Sequence, residues 1–345
     1  MRIVVHVNHP AHVHLFKNFI WGMENRGHNV IIIASEKEIS FRLLDLYDFD
    51  YFSLGSYGSS NLEKIYNLFK LDIRGYSYIR RENPDIFIGM GSIINSHLAY
   101  LLRKPCITLT DTEHSWEQRI LYHPFTDVII TPDSFQLDLG KKHVRYNGYQ
   151  ELAYLHPNYF TPDPSVLDEI GLNKSDLFII VRFVSWGATH DMGQKGVNNK
   201  EKLIHELEKH GRVLITSEKS LPKRLEKYRI SVSHEKFHDL LAYATLYVGE
   251  SGTIASEAAV LGVHSIHVST TGKYCGVFFD QKKYGLQYIV EEDEASIAIA
   301  KNLLQINDLK RLGKEKRIKM LREKIDVTDF IMDYVEKEYR TIGDK

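Results

Sequence analysis

Short apolar runs alternate with longer amphipathic ones along almost the whole chain. Ile3–Val7, Val30–Ala34, Ile86–Met90, Cys106–Thr110 and Val128–Thr131 are nearly continuous in apolar residues, the pattern of strands buried on both faces of a parallel sheet. Val13–Arg26, Ser40–Tyr47, Leu62–Arg81 and Ile94–Arg103 read as the helices between them. This alternation predicts a doubly wound α/β domain. Pro157, Pro162 and Pro164 then interrupt regular structure and read as a linker. Beyond it the pattern restarts, with strands expected at Phe178–Arg182, Val213–Thr216, Ile230–Val232, Leu246–Val248, Ser265–Val268 and Tyr288–Val290. A second doubly wound domain follows. From Leu303 to Tyr339 the chain reads as helical and charged, and Phe330, Ile331, Tyr334 and Val335 form an apolar stripe. The expected domains are 1–156 and 165–325, with residues 326–345 as a helix crossing back to the first.

Within this pattern Leu246–Val268 carries the most chemistry. It reads as strand, Gly-rich turn, helix and strand, with Ser251, Gly252 and Thr253 opening the helix and Gly262 stopping it. Such a helix start presents unpaired N–H groups and the positive end of the macrodipole, which suit a phosphate. Glu257 lies on the first turns of that helix, where a carboxylate can accept two hydrogen bonds from a ribose diol. The unit therefore suits a nucleoside diphosphate. An ordinary, well-capped α/β crossover is the alternative.

Composition narrows the class. In 345 residues there are 44 Lys and Arg against 45 Asp and Glu, for a formal net charge of −1. No general basic field invites nucleic acid or an anionic membrane. Two cysteines, Cys106 and Cys275, build neither a disulfide framework nor a zinc site; they read as small core or loop residues of a protein in a reducing cytoplasm. Met1 leads straight into a strand, so no signal peptide is expected, and no apolar run approaches a membrane span.

Further candidates fall at strand ends, the edge where ligands bind in open α/β sheets. His9 and His12 follow the first strand, with His6 and His14 nearby. A histidine near its ordinary pKa can take a proton at neutral pH. A base or acceptor-binding role, a helix-capping role and metal binding all remain open for this pair. Asp111, Glu113 and His114 follow the strand at Cys106–Thr110 and suit acid–base work or binding of sugar hydroxyls; the alternative is an Asp111 cap with solvated neighbours. Arg182 ends the first strand of the second domain, where it can clamp a phosphate or serve a structural ion pair. Trp186 in the following loop can stack on a sugar ring, and His190 and Asp191 can form an orienting pair. Lys273 lies in a late loop, suited to sugar contact or simple solvation. The Lys- and Arg-rich run Lys310–Lys324 reads as a solvated helix face.

Two Rossmann-like domains, a proline-marked linker and a nucleotide signature in the second domain resemble the GT-B fold, whose two domains face each other across a cleft. That fold houses nucleotide-sugar glycosyltransferases and the non-hydrolysing UDP-N-acetylglucosamine 2-epimerase. More narrowly, Asn8–Lys17, Asp111–His114, Val181–Trp186, Ala188–Asp191 and Gly249–Thr253 resemble the hallmarks of an archaeal and bacterial family of unknown function. The epimerase resemblance implies that Ser251, Gly252 and Thr253 hold the diphosphate and Glu257 the ribose, with Thr253 replacing a glycine of the epimerase pattern. It also likens Glu113 to a glutamate of the epimerase's proton chemistry. His12-Val13 looks like part of the Gly-His-Val of the peptidoglycan N-acetylglucosaminyltransferases, which implies a general base toward the acceptor. The Gly-Thr-Arg-Pro-Glu of epimerases is replaced here by Asn8-His9-Pro10-Ala11-His12.

The expectation is a metal-independent glycosyltransferase. Sugar passes from a nucleoside diphosphate, UDP foremost, to a hydroxyl acceptor in cell-surface polysaccharide or glycoconjugate synthesis. A nucleotide-sugar 2-epimerase is the alternative, and a nucleotide-sugar binding protein without turnover is a third reading. The catalytic set is His12, Asp111, Glu113, His190 and Asp191. The diphosphate set is Arg182, Ser251, Gly252, Thr253 and Glu257, and His9, His114, Trp186 and Lys273 bind substrate. No cofactor is expected, the nucleotide sugar being a co-substrate. The partners are a nucleotide-sugar donor and a glycan or lipid-linked acceptor, with no nucleic acid; peripheral contact at the inner membrane face and a homodimer are left open.

Overall fold

The structure is a computed structural model that describes residues 1–37, 39–58, 61–184, 196–217, 220–230 and 232–343. It divides into two compact units, residues 1–159 with 325–345, and residues 160–324.

Unit 1 is a seven-stranded parallel sheet in the order β3-β2-β1-β4-β5-β6-β7. Its elements run β1 (Arg2–Val7), α1 (Pro10–Asn25), β2 (Asn29–Glu36), α2 (Ser40–Leu46), β3 (Tyr51–Ser56), α3 (Asn61–Glu82), β4 (Ile86–Met90), α4 (Ile93–Leu102), β5 (Cys106–Leu109), α5 (Trp116–Tyr122), β6 (Val128–Pro132), β7 (His143–Tyr146) and α6 (Leu152–Leu155). The apolar runs of β1, β4 and β5 are fully or almost fully buried, as strands covered on both faces must be. Cys106 sits in that core, and burial pushes its thiol up to about 12. Two strands escape the sequence reading. β3 and β7 close the two edges of the sheet, and each buries a single side chain, Leu54 and Tyr146, so neither shows an apolar run.

Unit 2 holds α7 (Ser165–Asp168), β8 (Phe178–Phe183), α8 (Lys200–Leu207), β9 (Arg212–Ser217), α9 (Phe237–Tyr243), β10 (Leu246–Gly249), α10 (Gly252–Val260), β11 (His264–Val268), α11 (Gly276–Lys283), β12 (Gln287–Val290), α12 (Asp293–Leu304) and α13 (Leu309–Glu323). Its parallel sheet has the order β12-β11-β10-β8-β9. The strand expected at Ile230–Val232 is absent at the described residues Ile230 and Val232. Arg229 makes an isolated bridge to Ile215 and the Ile230 amide donates to the Ile215 carbonyl at 3.1 Å, after which the pairing stops.

After the end of α12 the charged segment holds two helices. Asp308, at φ 55°, turns the chain and caps α13 by accepting from the Arg311 amide. The basic run on α13 is not simply solvated. Gly313 lies against the Gly262 carbonyl, where a Cβ would approach to 2.0 Å, and that closeness brings long cations onto backbone acceptors. Arg317 donates to the Val260 carbonyl at 2.9 Å and Lys316 to the Gly285 carbonyl at 2.9 Å. The last helix, α14 (Val327–Gly343), packs with unit 1. The Ile325 amide donates to the Asn147 carbonyl at 2.9 Å, Ile331 and Val335 are buried, and Arg26 on α1 pairs with Asp329 and Asp333. No helix among the described residues is long and apolar enough to cross a membrane.

Candidate functional site

In each unit the strand order reverses beside the first strand, between β1 and β4 and between β8 and β10. Connections leave such a point in opposite directions and open a crevice at the carboxyl ends of the strands.

At the unit 2 switch point Arg182 and Gly249 are paired at the ends of β8 and β10. A side chain at Gly249 would strike the Tyr247 hydroxyl at 2.6 Å and the Arg182 carbonyl at 2.8 Å. Ser251 caps α10, its hydroxyl accepting from the Ile254 amide at 3.4 Å, while the buried Tyr247 donates its hydroxyl to the Ser251 carbonyl at 3.2 Å. Gly252 and Thr253 begin the helix, so their N–H groups have no carbonyl one turn earlier to bond. Residues 251 to 254 are all partly exposed, so this turn reaches solvent. Beneath it lies His267, whose Nε2 is 3.3 Å from the Glu250 carbonyl and whose pKa burial lowers to about 4.

Glu250 was not singled out in the sequence, yet it organises this edge. Its buried carboxylate accepts the Val184 amide at 2.7 Å and the Val197 amide at 2.8 Å. Asp293 does the same for the Asn198 and Asn199 amides. Acids directed at backbone have no periodicity to betray them. Glu257 is 4% exposed, and its Oε1 lies 3.0 Å from His238 Nε2, so the expected ribose carboxylate is already held within its own unit. Lys273 stands apart in a half-exposed pair with Glu291 at 2.9 Å. Trp186, His190 and Asp191 lie outside the described residues.

The unit 1 switch point is built from imidazoles. His6, fully buried at the end of β1, bonds Ser92 Oγ at 2.6 Å and Ser35 Oγ at 3.1 Å, and burial lowers its pKa to about 3. Ser92 in turn caps α4 through the Asn95 amide. Gly89-Met-Gly-Ser92 was passed over in the sequence, although it repeats the strand, glycine, serine-cap pattern of the α10 unit. His9 caps α1, its Nδ1 accepting from the Ala11 amide at 3.1 Å, with Pro10 as first helical residue. The His9 and His12 rings are 5.8 Å apart. Burial, then the neighbouring His9, His6 and Lys37, push His12 well below the ordinary histidine value. His12 is therefore neutral at pH 7 and a weak base, which corrects the expectation of an ordinary pKa. Its Nδ1 is buried without a hydrogen-bond partner among the described residues.

Asp111 and Glu113 lie on the β5–α5 connection, 9% and 7% exposed, so the alternative of solvated neighbours around a cap does not apply. α5 begins five residues after Asp111, at Trp116. Burial first, and the Glu113 charge with it, raise the Asp111 pKa to about 6 against the bond donated by Thr112. Glu113 accepts the Gln136 amide at 3.1 Å, and Arg119 donates to its carbonyl. His114 follows, half-buried. Among the described residues no group of three His, Cys, Asp or Glu side chains is placed to hold a metal ion.

Residues 1–340 match the family described as Protein of unknown function (DUF354). The chain belongs to this family. The DUF354 protein is 21% identical over 322 residues to the uncharacterized protein MJ0665 of Methanocaldococcus jannaschii, covering 89% of this chain and 88% of that one. Among solved structures it resembles a putative UDP-N-acetylglucosamine 2-epimerase from Listeria monocytogenes, with TM-score 0.69 and 13% identity over 98% of this chain and 96% of that one. It also resembles the UDP-GlcNAc 2-epimerase from Neisseria meningitidis bound to UDP-GlcNAc, with TM-score 0.68 and 13% identity over 98% and 100%. The glycosyltransferase SsfS6 of Streptomyces sp. SF2575 gives TM-score 0.59 and 14% identity over 96% and 99%. These likenesses establish the α/β fold of this DUF354 protein as GT-B, with two Rossmann-like domains.

Proposed function

We propose that this protein is a nucleotide-sugar glycosyltransferase, with a UDP-sugar held on unit 2 and a hydroxyl acceptor on unit 1. The observation that carries the reading is the open first turn of α10 at a switch point, with Arg182 at the adjoining strand end. The named neighbours that bind UDP-GlcNAc or transfer sugars support a nucleotide sugar as the ligand. In this reading the acceptor oxygen attacks the anomeric carbon. The sugar–phosphate C–O bond breaks, and its electron pair leaves on the diphosphate, stabilised by the Gly252 and Thr253 N–H groups and Arg182. Asp111 takes the acceptor proton, because its raised pKa lies near working pH, where a base is most effective. Neutral His12 donates its ring N–H to the hydroxyl oxygen and orients it. No cofactor or metal takes part. Polysaccharide or glycoconjugate synthesis at the cytoplasmic side of a membrane is the setting that suits such an enzyme.

The second reading is a 2-epimerase. It is favoured by the two buried carboxyls Asp111 and Glu113, which suit proton transfer at a sugar carbon. One experiment separates the two. UDP-sugars are incubated with and without glycan or lipid-linked acceptors, and nucleotide and sugar are both analysed. Acceptor-stimulated UDP release without 2-epimer supports the transferase. Formation of 2-epimer without acceptor overturns it for the epimerase, and binding without turnover overturns both.

A further inference from the structure

We propose that the outer face of α3, α4 and α5 in unit 1 docks on an anionic lipid surface. α3 is apolar on two sides. Leu71 and Ile79 are buried against the core, whereas Ile65, Phe69 and Ile73, spaced four residues apart, and Tyr66 beside them are exposed. A helix on a soluble surface is polar on its outer side. The same exposure continues at Tyr100 and Leu101 on α4 and at Trp116, Ile120 and Leu121 on α5, with values between 42% for Leu121 and 69% for Ile73. His97 joins the three helices, its Nδ1 2.8 Å from Asp72 Oδ2 on α3 and its Nε2 3.3 Å from the Leu121 carbonyl on α5. Four aromatic side chains, each more than half exposed, present roughly 400 Å² by themselves. Five aliphatic ones carry the area past the largest patch of an ordinary monomer, about 300–600 Å².

Charge selects the occupant. Arg80 and Arg81 continue the exposed stripe of α3, Arg103 and Lys104 follow α4, and Lys70 lies over the Tyr66 ring at 4.7 Å. None of these five makes an ion pair among the described residues. The acids on the same helices are fewer, and Asp72 is already paired with His97. A second copy meeting this face about a two-fold axis would set basic border against basic border. Anionic headgroups neutralise that border instead, and Trp116, Tyr66 and Tyr100 have the amphipathic rings that settle at the headgroup level. Trp116 follows His114 by two residues, so docking brings the connection carrying Asp111 and Glu113 to the lipid side. The surface stands whether or not the transferase reading does.

The test is co-sedimentation of the full chain with vesicles. Binding is expected to vesicles of equal parts phosphatidylglycerol and phosphatidylcholine, to fall with added salt, and to be weak with phosphatidylcholine alone. Phe69→Glu with Ile73→Glu should lower the partition at least about tenfold. Arg80→Gln with Arg81→Gln, both exposed, should weaken binding to the anionic vesicles with the melting temperature unchanged. Failure to bind either vesicle overturns the proposal. So does a stable dimer in sedimentation equilibrium that Phe69→Glu disperses while vesicles leave it unbound.

Discussion

The two switch points share a strand order and differ in what they place at the strand ends. In unit 1 the edge holds titratable side chains whose environment has moved their protons. His6 and His9 are lowered to about 3, His12 is also held well below the ordinary histidine value, and Asp111 is raised to about 6. In unit 2 the edge holds small residues and backbone N–H groups, and its buried acid, Glu250, is spent on the Val184 and Val197 amides. Burial penalises charge on a side chain but leaves a helix terminus intact as an electrostatic donor. Under the proposed function, one fold supports proton chemistry on one sheet and anion binding on the other, a division that experiment can separate.

The largest effect is expected at Gly252. A Cβ there would lie 3.0 Å from Phe278 and 3.4 Å from His267, so Gly252→Val should displace the opening of α10 and weaken UDP binding about 100-fold, read by calorimetry. Asp111→Asn should leave UDP binding unchanged and lower turnover by up to about 100-fold. Wild-type kcat/KM should rise as pH climbs through about 6, where the Asp111 carboxyl loses its proton, and the variant should lack that limb. His12→Ala should cost about tenfold in turnover, the scale of one lost neutral hydrogen bond; a loss matching that of Asp111→Asn would return the base to the imidazole.

The buried imidazoles also predict an acid sensitivity. His6 binds a proton near 6.5 when unfolded but only near 3 when folded. Its contribution is intact above 6.5 and is lost as pH falls toward 3. By about pH 5 that one group should reduce stability by about 2 kcal/mol, seen as a falling melting temperature that His6→Asn makes shallower. The smallest effect belongs to Lys273. Its ion pair with Glu291 is half-exposed, and Lys273→Ala should change stability by less than about 1 kcal/mol and leave UDP binding unaltered.

The α10 unit was legible because each part has a local signature. Strand formers, a serine cap, small residues at the helix start and Gly262 at φ 82° follow one another in order. The core strands were legible for a similar reason, since burial on both faces leaves a continuous apolar run. β3 and β7 were not, because an edge strand buries too little to leave one. The histidines could be located at a strand end, but not their protonation. That depends first on burial, and for His9 and His12 also on Lys37 beyond the end of β2. Glu250 and Asp293 were invisible as staples because their partners are amides, which every residue carries.

By itself, then, the order of apolar and polar residues determined two doubly wound units and the position of a phosphate-suited turn, since periodicity and caps are properties of neighbours along the chain. Tertiary structure alone decided that His12 is a neutral, weak base, that Asp111 holds its proton to about pH 6, and that three helices show apolar faces to solvent. Those outcomes depend on desolvation and on charges brought close from distant positions, and neither is a property of any short stretch of sequence.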